Sequence, residues 1–226
     1  MNLTDKYRPR TLSDIVGQPA MLPLRFLVRS PRRSCWLLEG DPGTGKTATA
    51  HAFAEDLGCG MFSKHPVKAS DLNKETAEQL LGRTLRCYPM DRAPMHVVVL
   101  EEFERCVSPE VKAYLKVALD TGIDPEDGGL PQRCIVLATS NDASKVEPAL
   151  LERFRVIPYS SGPEFASACW ERLGAIWEAE GTGGDMPQGW MEWGWRGTRY
   201  SMRMALRELA EVMEVMEVLR GRVAVH

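Results

Sequence analysis

Hydrophobic residues in the first two thirds of the chain form short runs, separated by stretches that favour helices. The clearest runs lie at 96–100 and 134–138, where β-branched and other apolar residues dominate. Runs of this length are typical of strands that are buried on both faces of a parallel sheet. A similar run at 35–38, a weaker one at 65–69 and a short one at 154–159 bring the predicted strands to five. Because strands alternate with helices, we expect an α/β fold with a parallel five-stranded sheet.

The pattern changes near residue 160, after which it predicts helices. Residues 161–164 have the form of a capping box for a first helix, and a second, long helix is predicted over 198–220. A segment rich in glycine and tryptophan, 181–197, joins the two. We therefore predict an α/β domain at residues 1–159 and a small helical lid domain at residues 160–226.

A phosphate-binding pattern, G-x-x-x-x-G-K-[ST], lies between the first predicted strand and the helix that follows it. Its glycines let backbone N–H groups approach phosphates, Lys46 reaches the β and γ oxygens, and the Thr47 hydroxyl holds Mg²⁺. A helix that begins at Lys46 adds the positive end of its dipole. The sequence therefore predicts a nucleotide site, with Mg²⁺, at Gly40, Asp41, Pro42, Gly43, Thr44, Gly45, Lys46, Thr47 and the following Ala48.

Two acidic residues, Glu101 and Glu102, follow the predicted strand at 96–100. The carboxyl ends of parallel strands meet at one edge of the sheet, so we expect both acids on a strand that neighbours the phosphate loop. There Glu101 would face the metal, and Glu102 would orient or deprotonate the attacking water. The alternative is a strand that simply ends in solvated acids.

Polar residues also follow the predicted strand at 134–138, where they are placed to reach a γ-phosphate or the attacking water. Asn141 is the preferred candidate for this sensor, with Ser140 as the neighbouring alternative because the register is not fixed by one sequence. An ordinary turn is the competing interpretation, since the Asn-Asp pair at 141–142 suits one.

Arg153 ends a short predicted helix just before the last strand. An arginine at such a position can project into the nucleotide site of a neighbouring subunit and stabilise the charge of the transition state. The alternative is a surface arginine that pairs with Glu152 or Glu147.

Composition and charge narrow the choice of function. The formal net charge of −3 gives no overall basic field, so contact with nucleic acid would require a local patch or an assembly. The six cysteines form no Cys-x-x-Cys pair, which argues against structural zinc and for a reduced compartment. No apolar run reaches the ~20 residues of a membrane span, and the N-terminus lacks a signal-peptide core. We expect a cytoplasmic protein without a membrane partner.

A family resemblance rests on these motifs together with residues 5–18, Asp-Lys-Tyr-Arg-Pro-Arg-Thr-Leu-Ser-Asp-Ile-Val-Gly-Gln. Taken together they resemble AAA+ ATPases of the clamp-loader clade, in particular the small subunits of replication factor C and phage clamp-loader ATPase subunits. Where that clade usually has Asp-Glu-Phe-Asp-Arg, this chain has Glu-Glu-Phe-Glu-Arg at 101–105. The resemblance implies an AAA+ P-loop fold, ATP hydrolysis with Mg²⁺, and action in DNA replication or repair.

The resemblance also implies further site residues and partners. A second sensor would be Arg203, which would reach the γ-phosphate from the lid, and Lys112 and Lys116 would lie on a helix that tracks duplex phosphates. Expected partners are other AAA+ subunits in a homo- or hetero-oligomeric ring or spiral, DNA, and a sliding clamp or another replication protein. The adenine pocket would include Tyr7, Arg8, Pro9, Val16 and Gly17.

The sequence leaves other functions open. Because the chain ends at His226, the collar domain of the clamp-loader clade is expected to be absent and assembly to use another surface. Residues 8–12, followed by Gly17 and Gln18, also occur in Holliday-junction branch-migration and replication-restart motors. A third interpretation is a nucleotide-gated adaptor with weak hydrolysis, which Glu101 in place of aspartate favours.

Overall fold

The computed structural model describes residues 2–181 and 184–223. The α-helices of this part are α1 (Leu3–Lys6), α2 (Leu22–Arg29), α3 (Lys46–Asp56), α4 (Lys74–Gly82), α5 (Pro109–Ala118), α6 (Pro148–Leu151), α7 (Pro163–Ala179) and α8 (Met202–Val223). Its strands are β1 (Ser34–Gly40), β2 (Lys64–Lys68), β3 (His96–Glu101), β4 (Cys134–Ser140), β5 (Arg155–Tyr159), β6 (Trp195–Arg196) and β7 (Arg199–Tyr200).

The central sheet of the described residues has five parallel strands in the order β2-β3-β4-β1-β5. The predicted α/β fold with a parallel five-stranded sheet is therefore confirmed. The prediction that the strand carrying Glu101 and Glu102 is adjacent to the strand before the phosphate loop is wrong, because β4 lies between β1 and β3. The hydrophobic pattern marks each strand but carries no record of which strands pair, so this insertion was not visible in it.

Successive side chains of the strands point to opposite faces of the sheet and build two separate cores. Val98 and Leu100 of β3 pack toward α4 and α5, whereas Val97 and Val99 pack toward α2 and α3. Both sets are almost fully buried. Helices on both faces explain why the strand reads as an unbroken apolar run rather than as an alternating one.

The part that follows β5 differs from the predicted all-helical lid. α8 begins at Met202, and Arg199 and Tyr200 instead pair with Trp195 and Arg196 in a two-stranded hairpin. The Tyr200 ring is fully buried and meets Phe165, Trp170 and Trp195 edge-on. Aromatic burial across elements, which local helical periodicity does not reveal, favours the hairpin.

The predicted capping box at the start of α7 is absent. Gly162 occupies the N-cap position without a side-chain hydrogen bond to the helix. The Ser161 hydroxyl instead donates to the carboxylate of Asp41 at 2.5 Å. The Ser161 hydroxyl therefore makes a tertiary hydrogen bond instead of capping α7, as the local sequence pattern had predicted.

Gly17 and Gln18 hold the helical part against the sheet. Gly17 has φ +64°, and a Cβ there would lie 2.9 Å from the Phe165 ring and 3.2 Å from the Phe165 Cα. The buried Gln18 side chain donates to the carbonyls of Thr44 and Ser160 and accepts from the Ser160 amide. Gly17 and Gln18 thus hold the connection between β5 and α7 in place.

Gly17→Ala is expected to lower the free energy of unfolding by about 3 kcal/mol, because a left-handed backbone and a clash with α7 add together. The matched control is Gly58→Ala, since Gly58 also has a positive φ but a Cβ there meets nothing within 4 Å among the described residues. That control should cost about 1 kcal/mol. Urea unfolding of both variants measures the difference, and equal losses would contradict the role given to Gly17.

Candidate functional site

A cleft of about 440 Å³ opens between the loop after β1, the N-terminal segment and the helical part. Most predicted site residues line it: Tyr7, Arg8, Pro9, Val16, Pro42, Gly43, Thr44, Gly45, Lys46, Thr47, Ala48, Glu102, Asn141 and Arg203. Five predicted residues do not line it: Gly17, Gly40, Asp41, Glu101 and Arg153. The fold therefore gathers predicted residues from six separate stretches of the chain (7–9, 16, 42–48, 102, 141 and 203) around one space.

The phosphate loop is shaped by two glycines with positive φ, Gly43 at +83° and Gly45 at +96°. The loop delivers Lys46 to the start of α3, where the free backbone N–H groups of the first helical turn favour anions. Lys46 Nζ donates to the carbonyls of Gly40 and Asp41, at 2.7 Å each. The loop itself thus satisfies two of the three hydrogen-bond donors of the ammonium group.

Burial lowers the pKa of Lys46 to about 8, although the carboxylates of Glu104 and Asp41 act in the opposite direction. Bound phosphates would favour the charged amine and raise this pKa again. With this pKa, Lys46 is largely charged at pH 7 and about half-neutral near pH 8.

ATP binding at pH 8.0 is accordingly expected to take up about half a proton per site, because binding recharges Lys46. At pH 7.0, below the pKa, the expected uptake falls to about a tenth of a proton. Titration calorimetry in two buffers of different ionisation enthalpy measures both values. Equal uptake at the two pH values would contradict this assignment.

The two acids after β3 have different surroundings. Glu102 has a left-handed backbone, with φ +54°, and its amide donates to Thr139 Oγ1 at 3.2 Å. Its carboxylate Oε2 lies 2.9 Å from Nη1 of the exposed Arg105, and both residues line the cleft. The carboxylate that was predicted to act on water therefore lies in the cleft and is paired with an arginine.

Glu101 is directed toward α3, where its Oε1 lies 3.2 Å from Nε2 of His51. His51 lies one helical turn after Thr47 and lines the cleft. The hydroxyl of Thr47 and the carboxylate of Glu101 are oxygen donors of the kind that Mg²⁺ prefers, so the residues present fit this ion. Sequence reasoning missed His51, although its spacing from Thr47 places it on the same helix face.

The candidate sensors after β4 are held by a third acid. Glu104 Oε1 accepts from the Asn141 side-chain amide at 3.0 Å and from its backbone amide at 3.2 Å. The buried Oε2 of Glu104 has no hydrogen-bond partner among the described residues. Ser140 also lines the cleft, so both Ser140 and Asn141 remain candidates for the sensor. Glu104 orients Asn141, a role that its position in the sequence did not reveal.

The helical part closes one side of the cleft. Arg203 lines it from the first turn of α8, and the amide of Met202 donates to the Gly43 carbonyl at 3.2 Å. Asp41 faces away from the cleft and joins the loop to this part, since its Oδ1 lies 3.0 Å from Arg199 Nη1. Asp41 is thus a link between phosphate loop and hairpin rather than a residue of the cleft wall.

The N-terminal segment supplies the apolar end of the cleft. Val16 and Ile15 lie there with Ile176 and Leu206 from the helical part. The Tyr7 hydroxyl donates to the Glu180 carboxylate at the end of α7, and this hydrogen bond is the main cause of the raised pKa of Tyr7. An apolar pocket with a few polar groups is typical of sites that hold a nucleotide base.

Arg153 lies away from the cleft of its own chain. Its Nε is 2.9 Å from Asp120 Oδ2 and 3.1 Å from the Lys116 carbonyl, and 28% of the side chain is exposed. Glu152, named in the surface alternative, is more distant at 3.9 Å. The backbone of α5 and Asp120 therefore hold the arginine in a fixed position.

The family model described as "ATPase family associated with various cellular activities (AAA)" matches residues 36–161, more than half of the chain. The chain belongs to the AAA ATPase family. The matched range begins in β1 and ends just after β5, so it contains the phosphate loop, both acids and the candidate sensors Ser140 and Asn141, but not Arg203. The predicted resemblance to AAA+ ATPases is confirmed.

Curated relatives of this AAA protein include archaeal replication factor C small subunits. The subunit of Archaeoglobus fulgidus is 28% identical over 181 residues, which cover 78% of this chain and 53% of the relative. The subunit of Thermofilum pendens is 27% identical over 212 residues, which cover 91% of this chain and 60% of the relative. The chain spans between half and two thirds of the length of these relatives.

Solved structures share the fold of the AAA protein. The Holliday junction branch migration motor RuvB of Thermotoga maritima matches with a TM-score of 0.71 at 19% identity, over 95% of this chain and 67% of that one. A DNA polymerase III gamma subunit-related protein of the same organism matches with a TM-score of 0.51 at 14% identity, over 71% of this chain and 52% of that one. At such identities the likeness shows the fold alone.

Among the residues that the structure describes, no helix combines the length and hydrophobicity needed to cross a membrane.

Proposed function

We propose that the protein is an ATP-hydrolysing molecular switch of DNA replication or repair, which works in an oligomeric ring or spiral as clamp-loader ATPase subunits do. The observation that carries the proposal is the convergence of Lys46, Thr47, Glu102, Asn141 and Arg203 on one cleft. Phosphate-binding, water-activating and sensing groups around one space are the parts that phosphoryl transfer to water requires.

ATP binding would draw Lys46 from the carbonyls of Gly40 and Asp41 to the β and γ phosphates. Thr47 and Glu101 would hold Mg²⁺, which neutralises charge on the phosphate oxygens when it is bound. Glu102 would orient the attacking water and accept its proton, and this requires the carboxylate to leave Arg105. Asn141, oriented by Glu104, would hold the water or the γ-phosphate.

Two arginines, Arg203 and Arg153, would couple ATP binding and hydrolysis to assembly of the subunits. In our proposal residues 1–159 form the nucleotide-binding domain and residues 160–226 act as the lid. Arg203 would contact the γ-phosphate and pull on the lid, which is already joined to the phosphate loop through Asp41 and Gly43. Arg153 would complete the site of a neighbouring subunit.

DNA and a sliding clamp, or another replication protein, are the proposed partners. The similarity to replication factor C small subunits supports this choice. On α5, Lys116 Nζ lies 2.5 Å from Glu147 Oε1, and Lys112 is half-buried. Two arginines of the basic stretch at 25–33 donate to backbone carbonyls of their own chain. A DNA surface of the assembly would therefore rely on Lys112 more than on these paired groups.

ATP turnover of the purified protein, with and without primed duplex DNA, tests the proposal. We expect turnover that primed DNA stimulates, together with an assembly that forms in a non-hydrolysable ATP analogue. Five subunits by native mass spectrometry favour a clamp-loader role, and six favour a branch-migration motor. A monomer that binds ATP but responds neither to DNA nor to the analogue would contradict the proposal.

A second candidate function is a nucleotide-gated adaptor that binds ATP and hydrolyses it weakly. The pairing of Glu102 with Arg105, and Glu101 in place of aspartate, favour it. ATP binding with turnover that stays near background under all DNA conditions would support the adaptor.

A further inference from the structure

Helix α2 presents an apolar and basic face to solvent. Leu24 and Leu27 pack into the core, whereas Leu22 and Phe26 are 53% and 60% exposed. Leu22, Phe26 and Arg29 follow one another at i, i+4 and i+7 and therefore lie on one side of the helix. The Arg29 side chain has no hydrogen-bonding or charged partner among the described residues. Exposed aromatic and arginine side chains next to each other are typical of a surface that a partner protein covers.

The helical part of the chain carries a groove with apolar and acidic residues, which we call the lid groove. It has a volume of about 440 Å³ and lies between Trp193 and α8. The residues that line it are Trp193, Glu208, Glu211, Val212, Val215 and Met216. Val215 is 59% exposed, and the exposed Glu211 side chain has no hydrogen-bonding or charged partner in the described part of the chain. The lid groove therefore offers solvent an apolar surface beside an unpaired carboxylate.

The exposed face of α2 and the lid groove match in length and in chemistry. α2 has eight residues and is about 12 Å long, as is the stretch of α8 from Glu208 to Met216. An amphipathic helix binds a groove through apolar residues about one turn apart, and opposite charges beside them fix the register. Arg29 supplies the positive charge and Glu211 the negative one. The lid groove therefore fits α2 of a second copy of this chain.

The position of the two surfaces supports the same partner. Arg33, which follows α2, donates from Nη2 to the Thr121 carbonyl at 2.7 Å, and Arg153 pairs with the preceding Asp120. The end of α2 and Arg153 thus lie on one side of the molecule. α8 begins at the cleft, and Glu211 lies about 13 Å further along the helix. A neighbour that directs Arg153 into the cleft therefore also brings its α2 toward the lid groove.

We propose that the lid groove binds α2 of a neighbouring copy of this chain, with Leu22 and Phe26 against its apolar residues and Arg29 opposite Glu211. Each chain offers two different surfaces, so repetition of the contact builds a ring or spiral rather than a symmetric pair. The inference rests on the proposed function, which requires the chain to assemble. It deepens that function because it names the surfaces that join the subunits.

Reversal of the two charges, first one at a time and then together, tests the contact. In a non-hydrolysable ATP analogue, Arg29→Glu and Glu211→Arg should each raise the protein concentration at half-assembly about tenfold, because like charges then face each other. The double variant restores opposite charges and should assemble within about threefold of the wild type. Sedimentation velocity over a range of protein concentrations measures these values.

Phe26→Ser removes the aromatic anchor and should raise the concentration at half-assembly about tenfold or more. Because Phe26 is largely exposed, this variant should fold, and an unchanged ATP affinity of the dissociated chain verifies folding for every variant. The matched control is Arg86→Glu, since Arg86 is exposed in the helical turn at 84–86, which follows α4. It should assemble as the wild type does.

Two results would overturn the inference while the proposed function stands. One is assembly of Arg29→Glu and Glu211→Arg at wild-type concentrations, and the other is a double variant that assembles no better than either single one. A wild type that binds the ATP analogue and stays monomeric would overturn the proposed ring or spiral and the inference together.

Discussion

Glu102→Gln is expected to lower the rate of ATP turnover about 10²- to 10⁴-fold and to leave ATP affinity within about threefold of the wild type. Glutamine keeps the shape of the side chain and a hydrogen-bonding oxygen, but it cannot accept the proton of the attacking water. The phosphate loop, which dominates binding, is unchanged. Steady-state turnover and calorimetric affinity measure the two effects separately.

Glu110→Gln provides the control for the Glu102 experiment, because Glu110 is exposed in the first turn of α5. Its turnover should remain near that of the wild type. A Glu102→Gln variant that retains more than a third of the wild-type rate would show that Glu102 does not activate water. Loss of ATP affinity would show that its left-handed backbone position is structural instead.

Arg153→Ala is expected to lower turnover in the assembled protein about 10³-fold or more, since an arginine supplied by a neighbour stabilises transition-state charge. ATP affinity of the dissociated chain should stay unchanged, because Arg153 does not line the cleft of its own chain. Arg153→Lys should also be slow, because lysine lacks the fork of donors that guanidinium presents. The exposed Arg207→Ala on α8 is the control.

Mixing two inactive variants separates action between subunits from a structural effect of Arg153. A subunit with Arg153→Ala has an intact cleft, and a subunit with Glu102→Gln has an intact arginine. In an equal mixture that assembles at random, one interface in four joins these two intact halves, so turnover should recover to about one quarter of the wild type. Absence of recovery, with the mixed assembly verified by mass, would show that the ion pair of Arg153 with Asp120 only supports its own chain.

The sequence predicts the sheet well because strands buried on both faces leave continuous apolar runs. The segments at 96–100 and 134–138 became β3 and β4 for this reason. The start of α5 follows the same rule, because a serine before a proline favours a helix start and the Ser108 hydroxyl accepts from the Val111 amide. These features depend on residues that are close in sequence, and local patterns record such contacts directly.

Features that depend on distant residues were missed. The position of β4 between β1 and β3 was one of them. Another was the hairpin at Tyr200, which packs among aromatic rings where the sequence predicted the start of a helix. The link from Asp41 to Arg199 joins residues far apart in the chain. No local periodicity encodes contacts of this kind, because either partner alone resembles an ordinary surface residue.

In the candidate site, too, some features could be predicted from the sequence and others could not. The phosphate loop is a local motif whose glycines are required by its backbone, so Lys46 and Thr47 could be placed from the sequence. The surroundings of the acids could not, since the left-handed backbone of Glu102 and the contact of Glu101 with His51 arise only when β3 and α3 pack together.

The central claim is that one cleft of this chain binds a single ATP with its divalent ion, and calorimetric titration with ATP and metal tests it most directly. The account predicts saturable heat with a stoichiometry of one ATP per chain. A titration that shows no heat above dilution with Mg²⁺, Mn²⁺ and Co²⁺ alike would contradict it.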